Sequence, residues 1–272
     1  MNKPQIICLV FYIVLILFWA YIQLTGTTIH FNNFLYSFLF GLIPLVGGFI
    51  AMVSSKKWGG SKSAVGKAVF FIGLGIFLWG CGETIWSYYN FFESEPAPYP
   101  SLADLGFAPS IFFYGLGAAY LSRATGAQFG FRNKYAKYFV AITPIIIFVF
   151  SYYLLVAIAR GGVLIPPDEP FLKLILDILY PLGDFVALTI AVIISGLSFR
   201  YLGGRYVTDI YAILLGLAVM FVADTIFSYT TTVGTFYNAS FGDLMLTTGL
   251  FLLTFGVLGF YKPKIASGNK EL

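Results

Sequence analysis

Long apolar runs separated by short polar connections make up most of this chain. Runs of about 20 residues, the length a helix needs to cross a bilayer, fall at about 5–25, 34–54, 66–91, 105–122, 137–158, 171–196, 206–230 and 242–261. The pattern predicts an all-α integral membrane protein with eight transmembrane helices in a single transmembrane domain, 1–272. The fourth run carries Pro109 in its first turns, where a proline is tolerated. The first run is long for a signal-peptide core and no A-x-A cleavage pattern follows it, so it predicts a retained helix.

The charges in the connections give the runs a direction. Cytoplasmic loops of membrane proteins are enriched in Lys and Arg. With eight spans, Lys3, Lys56, Lys57, Lys62, Lys67, Arg123, Arg132, Lys134, Lys137, Arg200, Arg205, Lys262, Lys264 and Lys270 share one side, 14 of the 16 basic residues. Only Arg160 and Lys173 fall on the other. This predicts both termini in the cytoplasm and a multi-pass protein of the cell membrane. The acids are biased the opposite way: of 12, only Asp209 and Glu271 belong to the basic side.

Composition agrees with the pattern. The chain is 59% hydrophobic, 19% aromatic and 10% charged, with mean hydropathy +0.86, against roughly 25% charged for a soluble domain. Cys8 and Cys81 both lie in apolar runs and read as small core residues. The net charge of +4 is spread over loops, so it gives no nucleic-acid signal. The lipid bilayer is the expected partner.

The chain also resembles itself. Residues 83–88 read E-T-I-W-S-Y and 224–229 read D-T-I-F-S-Y; 101–105 read S-L-A-D-L and 240–244 read S-F-G-D-L. A weaker match pairs P-L-V-G at 44–47 with P-L-G-D at 181–184. The two phrases recur in the same order, so the chain reads as two four-helix repeats, about 1–127 and about 134–264, followed by a short cytoplasmic tail, 262–272. An even number of helices per unit makes the repeats parallel.

Each repeat carries a pair of acids, Glu83 with Asp104 and Asp224 with Asp243. Ser101 and Ser240 suit helix N-caps, and Asp104 and Asp243 suit the first turn, where the helix dipole favours an anion by about 0.3–1 kcal/mol. These four form the expected outer mouth. Glu83 and Asp224 lie deep in their runs, where a carboxylate costs about 2.5–3.5 kcal/mol on insertion scales and marks either a functional site or a hydrogen-bonded bundle contact. Asp177 and Asp184 are seven apart and share a face of one helix. The candidate ligand- or cation-binding set is therefore Glu83, Asp177, Asp184 and Asp224, with Trp86 and Tyr88 as aromatic wall. Whether a proton, a metal, an organic cation or water neutralises the acids is open in the sequence.

The motif W-x2-G-E-x2-W-x-Y, here Trp79, Gly82, Glu83, Trp86 and Tyr88, is followed by P-x-P-S-x-A-D through Pro98, Pro100, Ser101 and Asp104. Together they resemble a multi-helix membrane region at the N-terminus of bacterial and archaeal signalling proteins. There it precedes cyclic-dinucleotide cyclase or histidine-kinase domains. The resemblance covers mainly the third and fourth helices, with a weaker Y-P-L-G-D at 180–184. It implies an input module, and only about 11 residues follow the last helix, so a separate signalling partner at the cytoplasmic face is expected.

The inventory excludes several chemistries. His30 is the only histidine and lies in a connection, so bis-histidine haem and H-E-x-x-H zinc sites are out. No lysine sits mid-run for a retinal Schiff base, and there is no P-loop. P-L-G-D at 181–184 approaches the G-x-G-D of intramembrane aspartyl proteases, but its first glycine is proline and G-D recurs at 242–243 as a repeat feature. Asn238–Ser240 fits a glycosylation acceptor, with helix capping the favoured use of that serine. No cofactor and no enzymatic activity are expected. The reading that remains is a sensor or interaction module with an acidic, aromatic-lined outward pocket. A small cation- or proton-coupled transporter or channel, and an accessory subunit of a membrane complex, stand beside it.

Overall fold

The first helix begins with a reciprocal cap. The Asn2 side chain accepts from the Gln5 amide and the Gln5 side chain accepts from the Asn2 amide, both at 3.0 Å, the capping-box arrangement that satisfies two otherwise orphan donors. From it α1 runs over Lys3–Thr25 and ends at Gly26, whose φ of 65° is left-handed. His30 caps α2, Phe31–Ser55. Ser63 caps α3, Ala64–Phe92, its Oγ accepting from the Gly66 amide at 2.8 Å. Then come α4, Asp104–Ala124; α5, Lys134–Tyr152; α6, Phe171–Ser198; α7, Val207–Thr232; and α8, Phe241–Leu258. A π-helical segment, Tyr153–Ile158, extends α5, and a 3-10 turn, Gly259–Tyr261, extends α8.

The structure is a computed structural model that describes residues 1–93, 98–125, 134–158, 160–163, 171–198 and 206–262. A few side chains within helices, those of Asp177 and Asp184 among them, lie outside the described residues. Among the described residues there is no strand.

Among the described residues seven helices are long and apolar enough to cross a membrane. The eighth, α6, forms where the hydropathy predicts it, but its apolar stretch among the described residues is the shorter Phe185–Ile194. By that measure seven of the eight expected spans are met, and α6, 28 residues long, is a helix over the eighth.

Six helices close a ring, each packed on the next in the order α2, α3, α4, α6, α7, α8 and back to α2. Contacts of α3 with α8 cross it. α1 lies outside against α2 and α8, and α5 lies outside against α6. Small residues let the backbones approach: a Cβ on Gly48 would meet the Gly73 carbonyl at 2.6 Å, and one on Gly106 would meet the Gly82 amide at 2.5 Å. Lipid tails are as apolar as leucine, so close packing of this kind, not hydrophobic burial, holds membrane helices together. The outward faces of α1 and α5 carry exposed Ile7, Val10, Leu17, Ile145, Ile146 and Val149, the residues a hydrocarbon environment accepts.

The ring has two unlike ends. One carries the starts of α4 and α8 with their acids and is called the acidic end below. The other carries Lys56, Lys57, Lys62, Lys67 and Arg123 and is called the basic end.

Candidate functional site

A cavity of about 1520 Å³ opens at the acidic end of the ring. Glu83, Asp104, Asp224 and Asp243 all line it, so acids from both halves of the chain share one space. Its wall is rich in aromatic residues, Trp79, Trp86, Phe107, Tyr114, Phe227 and Phe236 among them. Such apolar walls with a few convergent polar groups are what ligand sites have in common.

Glu83 comes from the middle of α3. It is 4% exposed. One oxygen accepts a 2.5 Å hydrogen bond from the Ser37 hydroxyl of α2. Room for the stem comes from Gly41, one turn further along α2: a Cβ there would lie 2.6 Å from Glu83 Cγ. The second carboxylate oxygen has no hydrogen bond among the described residues, and Glu83 is one of the residues lining the cavity. Asp243 of α8 is the charged group near enough to interact electrostatically with Glu83. It is 3% exposed, and its Oδ2 accepts from the Ala239 amide at 2.6 Å.

Asp104 begins α4. Its Oδ2 accepts from the Ser101 amide at 2.7 Å, and its Oδ1 accepts from the Tyr180 hydroxyl of α6 at 2.5 Å. Tyr180 also lies within electrostatic reach of Asp224 on α7. Asp224 is half-buried. Glu83 is thus tied to α2 through Ser37 and Asp104 to α6 through Tyr180.

Both helix-start acids reach backward, and this corrects the expected caps. The N-cap of α4 is Ala103, because residues 101–103 already turn into the helix. Ser101 sits two residues earlier, its Oγ accepting from the Ala103 amide at 3.2 Å. Ser240 holds the N-cap position of α8 but its side chain makes no capping bond. Asp243 takes over by bonding back to Ala239, whose φ is 64°. The 238–240 loop is fastened from several sides: Gln23 Nε2 donates to the Ala239 carbonyl at 2.8 Å, Trp19 Nε1 to the Ser240 carbonyl at 3.2 Å and Asn33 Nδ2 to the Asn238 carbonyl at 2.9 Å. The Asn238 side chain accepts from Trp86 and Asn90, each at 3.3 Å. An amide used this way argues against its being a glycosylation acceptor.

Of the other expected residues, Trp86 lines the cavity and Tyr88 does not; Tyr88 is 55% exposed, its ring tilted against Phe92, while Tyr89 and Asn90 line the site. Asp177 and Asp184 lie on α6, with side chains outside the described residues. Among the described residues no group of three or more His, Cys, Asp or Glu side chains is arranged to hold a metal ion.

Sequence reasoning missed Ser37 and Gly41. Their i, i+4 spacing puts both on one face of α2, and a small-residue face opposite a buried acid is the signal that points to them. It also missed Ser151 of α5, 8% exposed, lining the cavity with a hydroxyl that has no partner among the described residues.

No protein-family model matches this chain, and no curated protein and no solved structure matches it.

Proposed function

We propose that this polytopic membrane protein is a non-enzymatic sensor or interaction module whose acidic, aromatic-lined cavity faces outward and takes a cationic ligand. The observation that carries this is the convergence of Glu83, Asp104, Asp224 and Asp243 on one large cavity. Intramembrane carboxylates are expensive unless a partner or a function keeps them, and among the described lining residues only Arg160 and Lys173 are basic.

The eight-helix, two-repeat architecture belongs to this proposal. It is supported by the contact of Trp86 with Phe227, ring centroids 6.5 Å apart. These two hold equivalent places in E-T-I-W-S-Y and D-T-I-F-S-Y, and equivalent positions that touch lie on the axis relating the copies. The ring supports it too: α2 packs on α8 as α6 packs on α4. The basic end then lies in the cytoplasm with both termini, and it is the surface offered to a signalling partner. The resemblance of the α3–α4 motif to membrane input regions fits this reading.

A transporter is the second reading, favoured by one observation. A separate cavity of about 210 Å³ lies at the basic end, lined by Trp58, Ile72, Leu121, Tyr206, Ile213 and Phe260 among others. Ile72 lines this pocket and Trp79 lines the large cavity; seven residues of helix separate them, about 10 Å. Ile76 between them is fully buried. No charged side chain lines the smaller pocket among the described residues.

The test is the melting temperature of the purified chain against a panel of inorganic cations and amines, beside Glu83→Gln and Asp224→Asn. A ligand that binds only the folded state raises the melting temperature by mass action. The proposal expects such a rise in the wild type and its loss in either variant. No rise with any cation or amine, or a rise that both variants keep, overturns it. Uptake of the same cation into proteoliposomes decides for the transporter.

A further inference from the structure

We propose that the seam between α3 and α4 at the basic end of the ring binds an anionic phospholipid, with Lys67 and Arg123 holding its phosphate. Two cations meet there on one ring. Lys67 Nζ lies 5.1 Å from the centroid of the Tyr120 ring and Arg123 Cζ lies 5.5 Å from it. The two charges can be no further apart than those distances laid end to end. Neither side chain makes a hydrogen bond or ion pair among the described residues. Like charges repel, and a shared ring face returns only a modest attraction to each. Lys67 also stands in the first turn of α3, the end of a helix dipole that favours an anion over a cation. The chain has little with which to answer them. Of its 12 acids the charge pattern puts only Asp209 and Glu271 on this side. Asp209 is buried and accepts from Gln5, and Glu271 lies outside the described residues. An anion from outside the chain resolves the arrangement.

What lies beside the cations says which anion. Phe71, one turn on from Lys67, stacks on Tyr120 with centroids 5.7 Å apart and planes 11° apart, and on Phe113 at 6.0 Å and 5°. The i, i+4 spacing puts Lys67 and Phe71 on one face of α3, and seven residues put Phe113 and Tyr120 on one face of α4. None of these three rings lines either cavity, and the adjacent Phe70 and Phe112 are 38% and 66% exposed. The seam therefore shows an aromatic strip to the outside of the ring. Ten residues of helix separate Arg123 from Phe113, about 15 Å, so the charged spot and the apolar strip lie along one line parallel to the helices. That is the layout of a phospholipid: a phosphodiester where the apolar helices end, and an acyl chain along the strip. A soluble anion would use the cations and leave the strip unused. The guanidinium can take two phosphate oxygens at once, and the ammonium adds a point charge. Basic pockets between membrane helices suit acidic headgroups in this way. A lesser version exists at the end of α8, where Lys57 and Lys262 lie 4.4 and 5.9 Å from the Tyr261 ring. There Lys57 already donates to the Tyr261 carbonyl at 3.1 Å, so the α3–α4 seam is the better site.

This site stands independently of the cationic-ligand reading. The experiment is the melting temperature of the detergent-purified full-length chain with added phosphatidylglycerol, beside phosphatidylcholine of the same acyl chains, inorganic phosphate and a soluble glutamate-rich peptide. Phosphatidylglycerol is expected to raise the melting temperature at least about twice as far as phosphatidylcholine, by mass action on the folded state. Lys67→Gln and Arg123→Gln are each expected to bring that rise down to the phosphatidylcholine level. Lys67→Arg is expected to keep it, and so is Lys62→Gln, which removes an exposed charge at the same end. Equal rises with the two lipids overturn the proposal. So does a rise that survives both glutamine variants, which puts the lipid elsewhere, and so does a rise that Lys62→Gln loses as fully as Lys67→Gln, which is attraction to general surface charge. An equal rise with inorganic phosphate or with the peptide is a site for a soluble anion and overturns it too. The wild-type comparison of the four additives, with Lys67→Arg, decides the matter even where a glutamine variant fails to fold.

Discussion

Two buried carboxylates at opposite ends of the ring, Asp209 and Glu83, are 3% and 4% exposed. Their surroundings differ. Asp209, in the first turn of α7, accepts from Gln5 Nε2 at 2.8 Å, and the same amide group donates to the Phe255 carbonyl at 3.1 Å. Gly259 leaves just the room the carboxylate needs, since a Cβ there would lie 2.1 Å from its Cγ. Neither cavity reaches Asp209. Asn2, donating to the Leu258 carbonyl at 2.7 Å, ties the chain start to the same spot. Glu83 has one such partner, Ser37, and open space on its other side. Burial alone therefore does not mark a site. A buried acid that the fold surrounds is a fastener, and one left facing a void is available to a ligand.

Mutations can break that contrast, and the largest effect falls at the fastener. Gln5→Ala leaves a buried carboxylate short of a donor and is expected to cost about 1–3 kcal/mol or more, read as a lower melting temperature in detergent with the ligand-induced rise intact. Gly41→Ala comes next. Its new Cβ competes with the Glu83 stem, so it is expected to abolish ligand binding at a stability cost of about 1–3 kcal/mol, the usual toll of overpacking. Glu83→Gln keeps an acceptor for Ser37, so the melting temperature without ligand is expected to move by less than about 1 kcal/mol equivalent while the ligand response disappears. Asn238→Ala removes three long bonds, one with Trp86 and two with Asn90, and is expected to lower stability by about 0.5–1.5 kcal/mol and to weaken binding through a loosened Trp86, which titration would register. Tyr88→Ala, on the outward face of α3, is expected to leave binding unchanged. A loss there equal to that of Glu83→Gln would mean the ligand sits outside the ring.

How much of this was legible in the sequence follows from the kind of interaction involved. Helices were legible because hydropathy is a local quantity: all eight predicted runs became helices with ends displaced by a few residues, as at Ala64–Phe92 for 66–91. The four acids that line the cavity stand out in the sequence by repetition, in E-T-I-W-S-Y with D-T-I-F-S-Y and in S-L-A-D-L with S-F-G-D-L. Their partners do not. Ser37, Gly41 and Tyr180 lie on other helices, and nothing local says which helix face meets which. The burial of Asp209, placed by the charge pattern on the basic side, was not legible, because it comes with Gln5, 204 positions away in the chain.

The measurement that tests the account most directly is the ligand-induced change in melting temperature, taken side by side on the wild type, Gln5→Ala and Glu83→Gln with the amine that stabilises the wild type most. The account predicts that Gln5→Ala melts earlier but keeps the full increment, and that Glu83→Gln melts with the wild type but loses it. Equal increments in all three proteins, or a lost increment in Gln5→Ala with a kept one in Glu83→Gln, would contradict it.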